Sequence, residues 1–336
     1  MRSFTRLMFG AAIGAATSAA SAQVVLTAST WVPASHTLSV SQTKWCEEVA
    51  QATSNRVRCN ILPKAVVAAP GTFDAVRDGL ADLSFSVHGY TPGRYVMGGL
   101  VELPFQGDSA EATSVAYQRI YEKHLAKLNE HKGLKVLAVF THGPGGIYNS
   151  KRAIGSLADA QGLKFRVGGG MVNEVGKSLG LNVTLKPAPE SYELLSTGVM
   201  DGVMFPAESI EAFRLEKLVK HRTNFPGGLY NTSFAFVMNE ATWNKIPKAD
   251  QDIITKLTGE YAARMFGRGW DAVDRRGLAV MQANNVQVTA ASPTFVKEVK
   301  EKTSGLEQKW INDAKGKGLP NPEQVLKDYR AEVSKL

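Results

Sequence analysis

Apolar positions along the chain fall into short runs and amphipathic stretches that alternate in a regular order. Residues 24–29 alternate and are rich in β-formers, which predicts a strand, with a loop after it at 31–36. A helical stretch follows, with Trp45, Val49 and Ala50 on one face and Lys44, Glu47 and Glu48 nearby. Ser54-Asn55 breaks it, and 56–62 reads as a strand closed by Pro63. A Pro/Gly loop at 69–71, a helix over 72–79 and a strand over 83–87 complete a β-loop-α-β order, as in a sheet covered by helices.

Asp108-Ser109 followed by Glu111 marks the start of a long helix over 108–132, and the continuously apolar 135–140 predicts a buried strand. After Gly143-Pro144-Gly145-Gly146 the order begins again. It gives an extended piece at 147–149, a short helix at 157–161, a strand at 163–167, a helix over 171–179, a strand at 183–185, a helix over 190–197 and a strand at 202–205. Such a restart after a glycine run predicts a crossing between two lobes. A further apolar strand at 234–238 brings the chain back to the first lobe. From 242 onward the pattern is almost entirely helical, with 248–280 as one long amphipathic helix able to brace both lobes. The expected division is 23–143 with 233–271 in lobe I, and 144–232 with 272–336 in lobe II. There is no repeat of fixed period.

The first 22 residues change the picture. Arg2 and Arg6 precede an Ala-rich apolar run that ends at Ala20-Ser21-Ala22, the form of a signal peptide cut before Gln23 and too short to span a bilayer. The remainder, roughly 310 residues, exceeds what one core usually holds, so two lobes are expected. Formal net charge is +8, but Lys and Arg are scattered among Glu and Asp, which argues against nucleic acid as a partner. The two cysteines, Cys46 and Cys59, lie in the first helix and the strand after it; an exported chain in an oxidising compartment favours their joining, and two buried thiols are the alternative.

Motifs of catalysis are incomplete. Ser41-Gln42-Thr43-Lys44 fits S-x-x-K, but the S-D-N and K-T-G elements that would accompany it are absent, as are G-x-S-x-G, H-E-x-x-H and a Walker A loop. The six histidines are dispersed, so neither a zinc site nor any other metal or cofactor is expected. Gly168-Gly169-Gly170 stands between a strand and a helix. The dinucleotide fingerprint fails at Asn173, and the plainer reading is a tight turn that lets another part of the molecule approach. A helix N-terminus there favours an anion, and Arg166 just before it is placed to grip a carboxylate with two N–H groups.

Several segments together resemble one known family. Gly162-Leu163-Lys164-Phe165-Arg166-Val167, Glu190-Ser191-Tyr192 and Leu195-Ser196-Thr197-Gly198-Val199-Met200-Asp201-Gly202 are similar to motifs of the solute receptors of TRAP (tripartite ATP-independent periplasmic) transporters, DctP type. Gly79 to Leu83, Gly89 to Arg94, Leu103-Pro104-Phe105 and Trp243 with Ile246-Pro247 also fit. The resemblance implies an α/β, two-lobe periplasmic-binding-protein fold of type II-like form, with ligand in the inter-lobe cleft and a long helix bracing the hinge. It implies a non-catalytic receptor in which Arg166 holds a small carboxylate and which delivers it to the membrane subunits of the transporter.

Two departures point to the ligand. Near Gly146, where receptors for sugar acids and dicarboxylates often carry a second basic residue, there is none, and Phe205 stands where such receptors often have Asn. An aromatic or apolar monocarboxylate stacked on Phe205 is expected, unless that ring points into the lobe core. Residues after strand ends complete the candidate pocket: Ser35, His36, His88, Gly89, Tyr90 and Gly168, with Tyr230 and Asn231 before the returning strand. Trp31 and Trp243 read as packing. The rivals are a polar sugar-acid or dicarboxylate ligand and, from another class, a periplasmic enzyme acting on carboxylates.

Overall fold

The computed structural model describes residues 23–336; the signal-peptide expectation for 1–22 lies outside the described residues. Eleven strands form among them: β1 Val24–Ala28, β2 Val57–Ile61, β3 Leu83–Val87, β4 Leu134–Thr141, β5 Gly146–Asn149, β6 Lys164–Val167, β7 Asn182–Leu185, β8 Gly202–Phe205, β9 His221–Asn224, β10 Ser233–Asn239 and β11 Gln287–Ala290. They make two sheets, ordered β2-β1-β3-β10-β4 and β11-β9-β5-β8-β6-β7. In the first sheet β10 runs antiparallel between β3 and β4, and every one of its residues is buried. Its continuous apolar run has no solvent face to serve, which is why alternation is missing.

The chain crosses between the sheets after β4 and again before β10, and the two crossings lie side by side. Gly145 N–H donates to the Tyr230 carbonyl at 2.9 Å, and Leu229 N–H donates back to the Gly145 carbonyl at 3.0 Å. The glycine run read as a crossing is therefore one of two connecting segments that run side by side between the sheets. Cys46, on helix Thr37–Ala52, and Cys59, on β2, form a disulfide across a Cα separation of 5.6 Å.

Three expectations differ from the structure. The helix expected over 248–280 is two, Lys248–Thr255 and Glu260–Ala283. Gly259 separates them at φ +61°, a left-handed turn in which its N–H donates to the Leu137 carbonyl of β4 at 2.7 Å. The helix over 108–132 is α-helical only for Ala110–Ile120; a π turn, Tyr121–Leu125, and a 3-10 turn, Ala126–Leu128, carry the chain on. The stretch 272–336, assigned to the second lobe, divides. Its strand β11 joins the second sheet and helix Pro293–Thr303 packs on Met171–Ser178, whereas Gly305–Gly316 packs on Gly99–Glu102 and Pro322–Val333 packs on Ala110–Ile120. Strands β9 and β11 carry polar, short sequences with no apolar periodicity, so nothing local announced them.

No helix among the described residues is long and apolar enough to cross a membrane.

Candidate ligand-binding site

Strand ends from both sheets converge on one cavity with about 430 Å³ of free space. Val87 ends β3 and Tyr90 follows it, His142 follows β4, Arg166 and Gly168 come from the end of β6, and Phe205 and Pro206 from the end of β8. Because β10 runs antiparallel to β3 and β4, its beginning lies beside their ends, which brings in Tyr230, Thr232 and Phe234. Ligand sites of open α/β sheets lie beyond strand ends for this reason.

Arg166 is 2% exposed. Its Nε donates to the Lys186 carbonyl at 2.8 Å, and its guanidinium carbon lies 4.4 Å from the centre of the Phe205 ring. The Tyr90 hydroxyl stands beside it and also accepts the Ala188 N–H at 3.0 Å. Burial draws the pKa of Arg166 below its ordinary value, with the two tyrosines, Tyr90 and Tyr230, acting against that. A guanidinium stays charged nonetheless. Among the described residues no carboxylate forms an ion pair with it. A buried, unpaired cation is costly by several kcal/mol, so the arrangement favours an anionic guest.

The rest of the wall is largely aromatic. Phe205 stacks on Phe213 at 5.7 Å, so the ring both packs into its lobe and lines the cavity, and the two alternatives for it are not exclusive. Tyr230 meets the His142 ring edge-on at 5.5 Å. Trp31, Phe234 and Trp270 also line the space. Trp31, read from the sequence as packing, donates from Nε1 to the Phe85 carbonyl at 2.8 Å and turns its ring toward Tyr90 and the cavity. Trp243 lies elsewhere, under the Lys135 ammonium.

Four of the sequence candidates hold other positions. Ser35 is exposed and outside the cavity, because the turn from Pro33 to His36 points it to solvent while His36 enters the helix cap. His88 turns away from the cavity, with Nδ1 on Ser233 Oγ at 3.0 Å and Nε2 on His131 Nε2 at 2.9 Å. Asn231 is fully buried behind the wall; its amide donates to the His142 carbonyl at 3.0 Å, and its Oδ1 has no partner among the described residues. Gly89 touches the glycine turn instead of the cavity: a Cβ there would sit 2.7 Å from the backbone of Gly169 and Gly170. The Gly168-Gly170 turn is thus where the second lobe meets the first, a close approach that only glycines permit.

His36 does line the cavity, but its nitrogens are engaged. Nδ1 accepts the Leu38 N–H at 3.1 Å, which leaves Nε2 to face Glu208 Oε1 at 3.4 Å. Burial draws its pKa down to about 3, so the ring is neutral. Sequence reasoning missed His142, Phe213, Phe234 and Trp270; each is an aromatic or imidazole group at an element end or on a helix, a feature too common to stand out.

Glu102 links the lobes behind the cavity. Its Oε2 accepts the Met171 N–H at 2.8 Å, at the start of helix Met171–Ser178, and its Oε1 accepts from the Ser233 N–H and hydroxyl at 2.9 and 2.6 Å. No group of three His, Cys, Asp or Glu among the described residues is placed to hold a metal ion.

Comparison with known proteins agrees with this architecture. The DctP family, described as bacterial extracellular solute-binding protein family 7, matches residues 28–313. A TRAP periplasmic solute-binding protein from Bordetella bronchiseptica, solved with bound (R)-mandelate and (S)-mandelate, is 43% identical with a TM-score of 0.90, over 93% of this chain and 99% of that one. A TRAP solute-binding protein from a marine metagenome, specific for aromatic acid ligands and solved with 3-hydroxybenzoate, is 32% identical with a TM-score of 0.87, over 93% and 98% of the two chains. The outer membrane transporter protein TsaT of Comamonas testosteroni is 28% identical over 291 residues, 86% of each chain. With its two sheets, its cleft at the strand ends and a family match over most of its length, this chain belongs to the DctP family of bacterial extracellular solute-binding proteins, to which the receptors of TRAP transporters belong.

Proposed function

We propose that the protein is a periplasmic receptor that binds an aromatic monocarboxylate between its lobes and passes it to the membrane subunits of a TRAP transporter. The observation that carries this reading is a single unpaired guanidinium buried in a cavity walled by aromatic rings. Arg166 takes the carboxylate, with the hydroxyls of Tyr90 and Tyr230 beside it, and the rings of Phe205, Phe213 and Trp270 cover the apolar body. Gly168 keeps the approach to the guanidinium open: a Cβ there would lie 3.6 Å from Arg166 Nη2. One cation matches one carboxylate, and the phenylalanine rings offer no hydrogen bonds to the several hydroxyls of a sugar acid, most of which would be buried unpaired at a cost. Relatives solved with mandelate and 3-hydroxybenzoate support the same class.

Binding shifts the lobes toward a closed state stabilised by contacts that only that state makes. Gly89 against Gly169 and Gly170, and Glu102 on the Met171 N–H, are such contacts. Release to the transporter then requires only that docking favour the open state. The signal-like segment at 1–22 supports export to the periplasm.

Thermal shift and calorimetry against benzoate, mandelate, succinate and galacturonate test the reading. The aromatic acids should raise the melting temperature of the wild type by mass action, and Arg166→Ala should lose at least about 100-fold in affinity, some 2.7 kcal/mol. Stabilisation by the polar acids alone, an unchanged response in the variant, or chemical conversion of the bound acid would sink it.

A further inference from the structure

We propose that His142 is the second polar contact of the cavity, accepting a hydrogen bond from a hydroxyl on the carbon next to the ligand's carboxylate, so that the receptor selects 2-hydroxy-2-aryl acids over their 2-oxo and unsubstituted counterparts. The inference rests on the reading of Arg166 as the carboxylate anchor.

His142 is 4% exposed and its ring lines the cavity. Its Nδ1 is hydrogen-bonded to the Gly143 carbonyl oxygen, which can only accept. Nδ1 therefore carries the proton and Nε2 carries a lone pair. Nε2 has no hydrogen-bond partner among the described residues. The ring packs edge-on against Tyr230 at 5.5 Å and Trp270 at 5.8 Å, and turning it over would give up the bond to the Gly143 carbonyl.

Burial draws the His142 pKa down to about 4, and the positive charge of Arg166 acts in the same direction. At neutral pH the ring is thus an acceptor, and it is close enough to Arg166 to feel that charge. Tyr230 neighbours both groups: its ring touches His142, and its hydroxyl feels the Arg166 charge as well. A group bonded to Nε2 while the carboxylate sits on Arg166 therefore belongs near the carboxyl end of the ligand. The other imidazole in the wall, His36, has both nitrogens occupied and offers no such acceptor.

The chemistry of the free atom sets the preference. A hydroxyl can donate to Nε2. A 2-oxo group would set lone pairs against a lone pair, and a methylene would leave a buried acceptor unpaired. Sites built to hydrogen-bond a ligand hydroxyl reject analogues lacking it, because their own polar group is then stranded.

Calorimetry with (R)-mandelate, (S)-mandelate, phenylglyoxylate and phenylacetate decides the matter, using wild type, His142→Phe and Tyr230→Phe. The wild type should bind at least one mandelate enantiomer about 10-fold or more tightly than phenylglyoxylate and phenylacetate. His142→Phe should reduce that advantage to roughly 2-fold while phenylacetate binding persists, which shows the cavity and its anchor intact. Should His142→Phe not bind phenylacetate, His142→Leu is read by the same comparison. A wild type without the preference, a preference that survives in the His142 variant, or one lost instead in Tyr230→Phe would overturn the inference while leaving Arg166 as anchor. Failure of all four acids to bind the wild type would overturn the anchor reading itself.

Discussion

Phe205 is held between two groups, the Arg166 guanidinium at 4.4 Å and the Phe213 ring at 5.7 Å. It therefore holds the Arg166 side chain in place, since a cation over a desolvated ring gains about 1–2 kcal/mol, and in the proposed function it would also cover the ligand. Phe205→Asn is expected to weaken benzoate binding by roughly 10- to 100-fold, with a smaller loss for sugar acids, measured by calorimetry. The buried carboxyls beside the cavity govern pH dependence. Burial pushes Glu208 up to about 8, with the nearby Asp274 adding to it, and pushes Asp274 itself up to about 7, from ordinary values of 4.5 and 3.8. The folded protein thus holds more protons than the unfolded chain through that window, and stability falls as pH rises toward 8. The histidines act oppositely: His36 and His131, drawn down to about 3, and His142, drawn down to about 4, add stability as pH rises toward 6.5. Above that pH the carboxyls act alone. The melting temperature should therefore drop by roughly 3 °C or more between pH 6.5 and 8.5, and Glu208→Gln should flatten the slope in a fluorimetric pH series.

At the scale of elements, helix Glu260–Ala283 does more than lie along the molecule. Asp271 caps helix Ala110–Ile120, accepting the Ala110 N–H at 2.6 Å, the Glu111 N–H at 3.1 Å and the Ser109 hydroxyl at 2.8 Å. Asp274, one turn on, accepts the Glu208 N–H at 2.7 Å, in the segment that follows β8 of the other sheet. One face of one helix thus satisfies orphan N–H groups at the starts of two separate helices, Ala110–Ile120 and Glu208–Ala212. Asp271→Asn keeps the shape and removes the charge, and is expected to cost about 1 kcal/mol in a urea titration, with the midpoint shifted and the slope unchanged. Element types were legible wherever periodicity was strong. The strand at 202–205 and the helix start at Ser109 agree with the pattern because an apolar run and a cap residue are local signals. The break at Gly259 was not legible, since an isolated glycine inside a helical pattern is usually tolerated. The first helix stops at Thr255, and Gly259 caps the start of the second with its own N–H bonded to the Leu137 carbonyl of the sheet, outside any helical pattern.

For the whole molecule, the proposed function makes closure the functional coordinate, and the backbone contact between Gly89 and Gly169 is where it would be limited. Gly89→Ala places a methyl group 2.7 Å from the Gly169 backbone, where neither side can rotate away. The expected result is at least a 10-fold weaker aromatic acid with faster release, and loss of ligand-induced compaction in small-angle scattering, while the ligand-free melting temperature stays within about 2 °C. An unchanged compaction would show that the lobes close elsewhere. The two-lobe α/β order, the crossing at Gly143 to Gly146 and Arg166 at a strand end beside a glycine turn were all legible along the chain. These follow from periodicity, chain-breaking residues and the chemistry of a cation, all readable within a few residues. Packing, in contrast, settles that Ser35 faces solvent, that His88 belongs to a network with His131 and Ser233, and that His142 and Trp270 join the wall. Those outcomes depend on which way a side chain turns once segments distant in the chain are packed together, and no local pattern carries that direction.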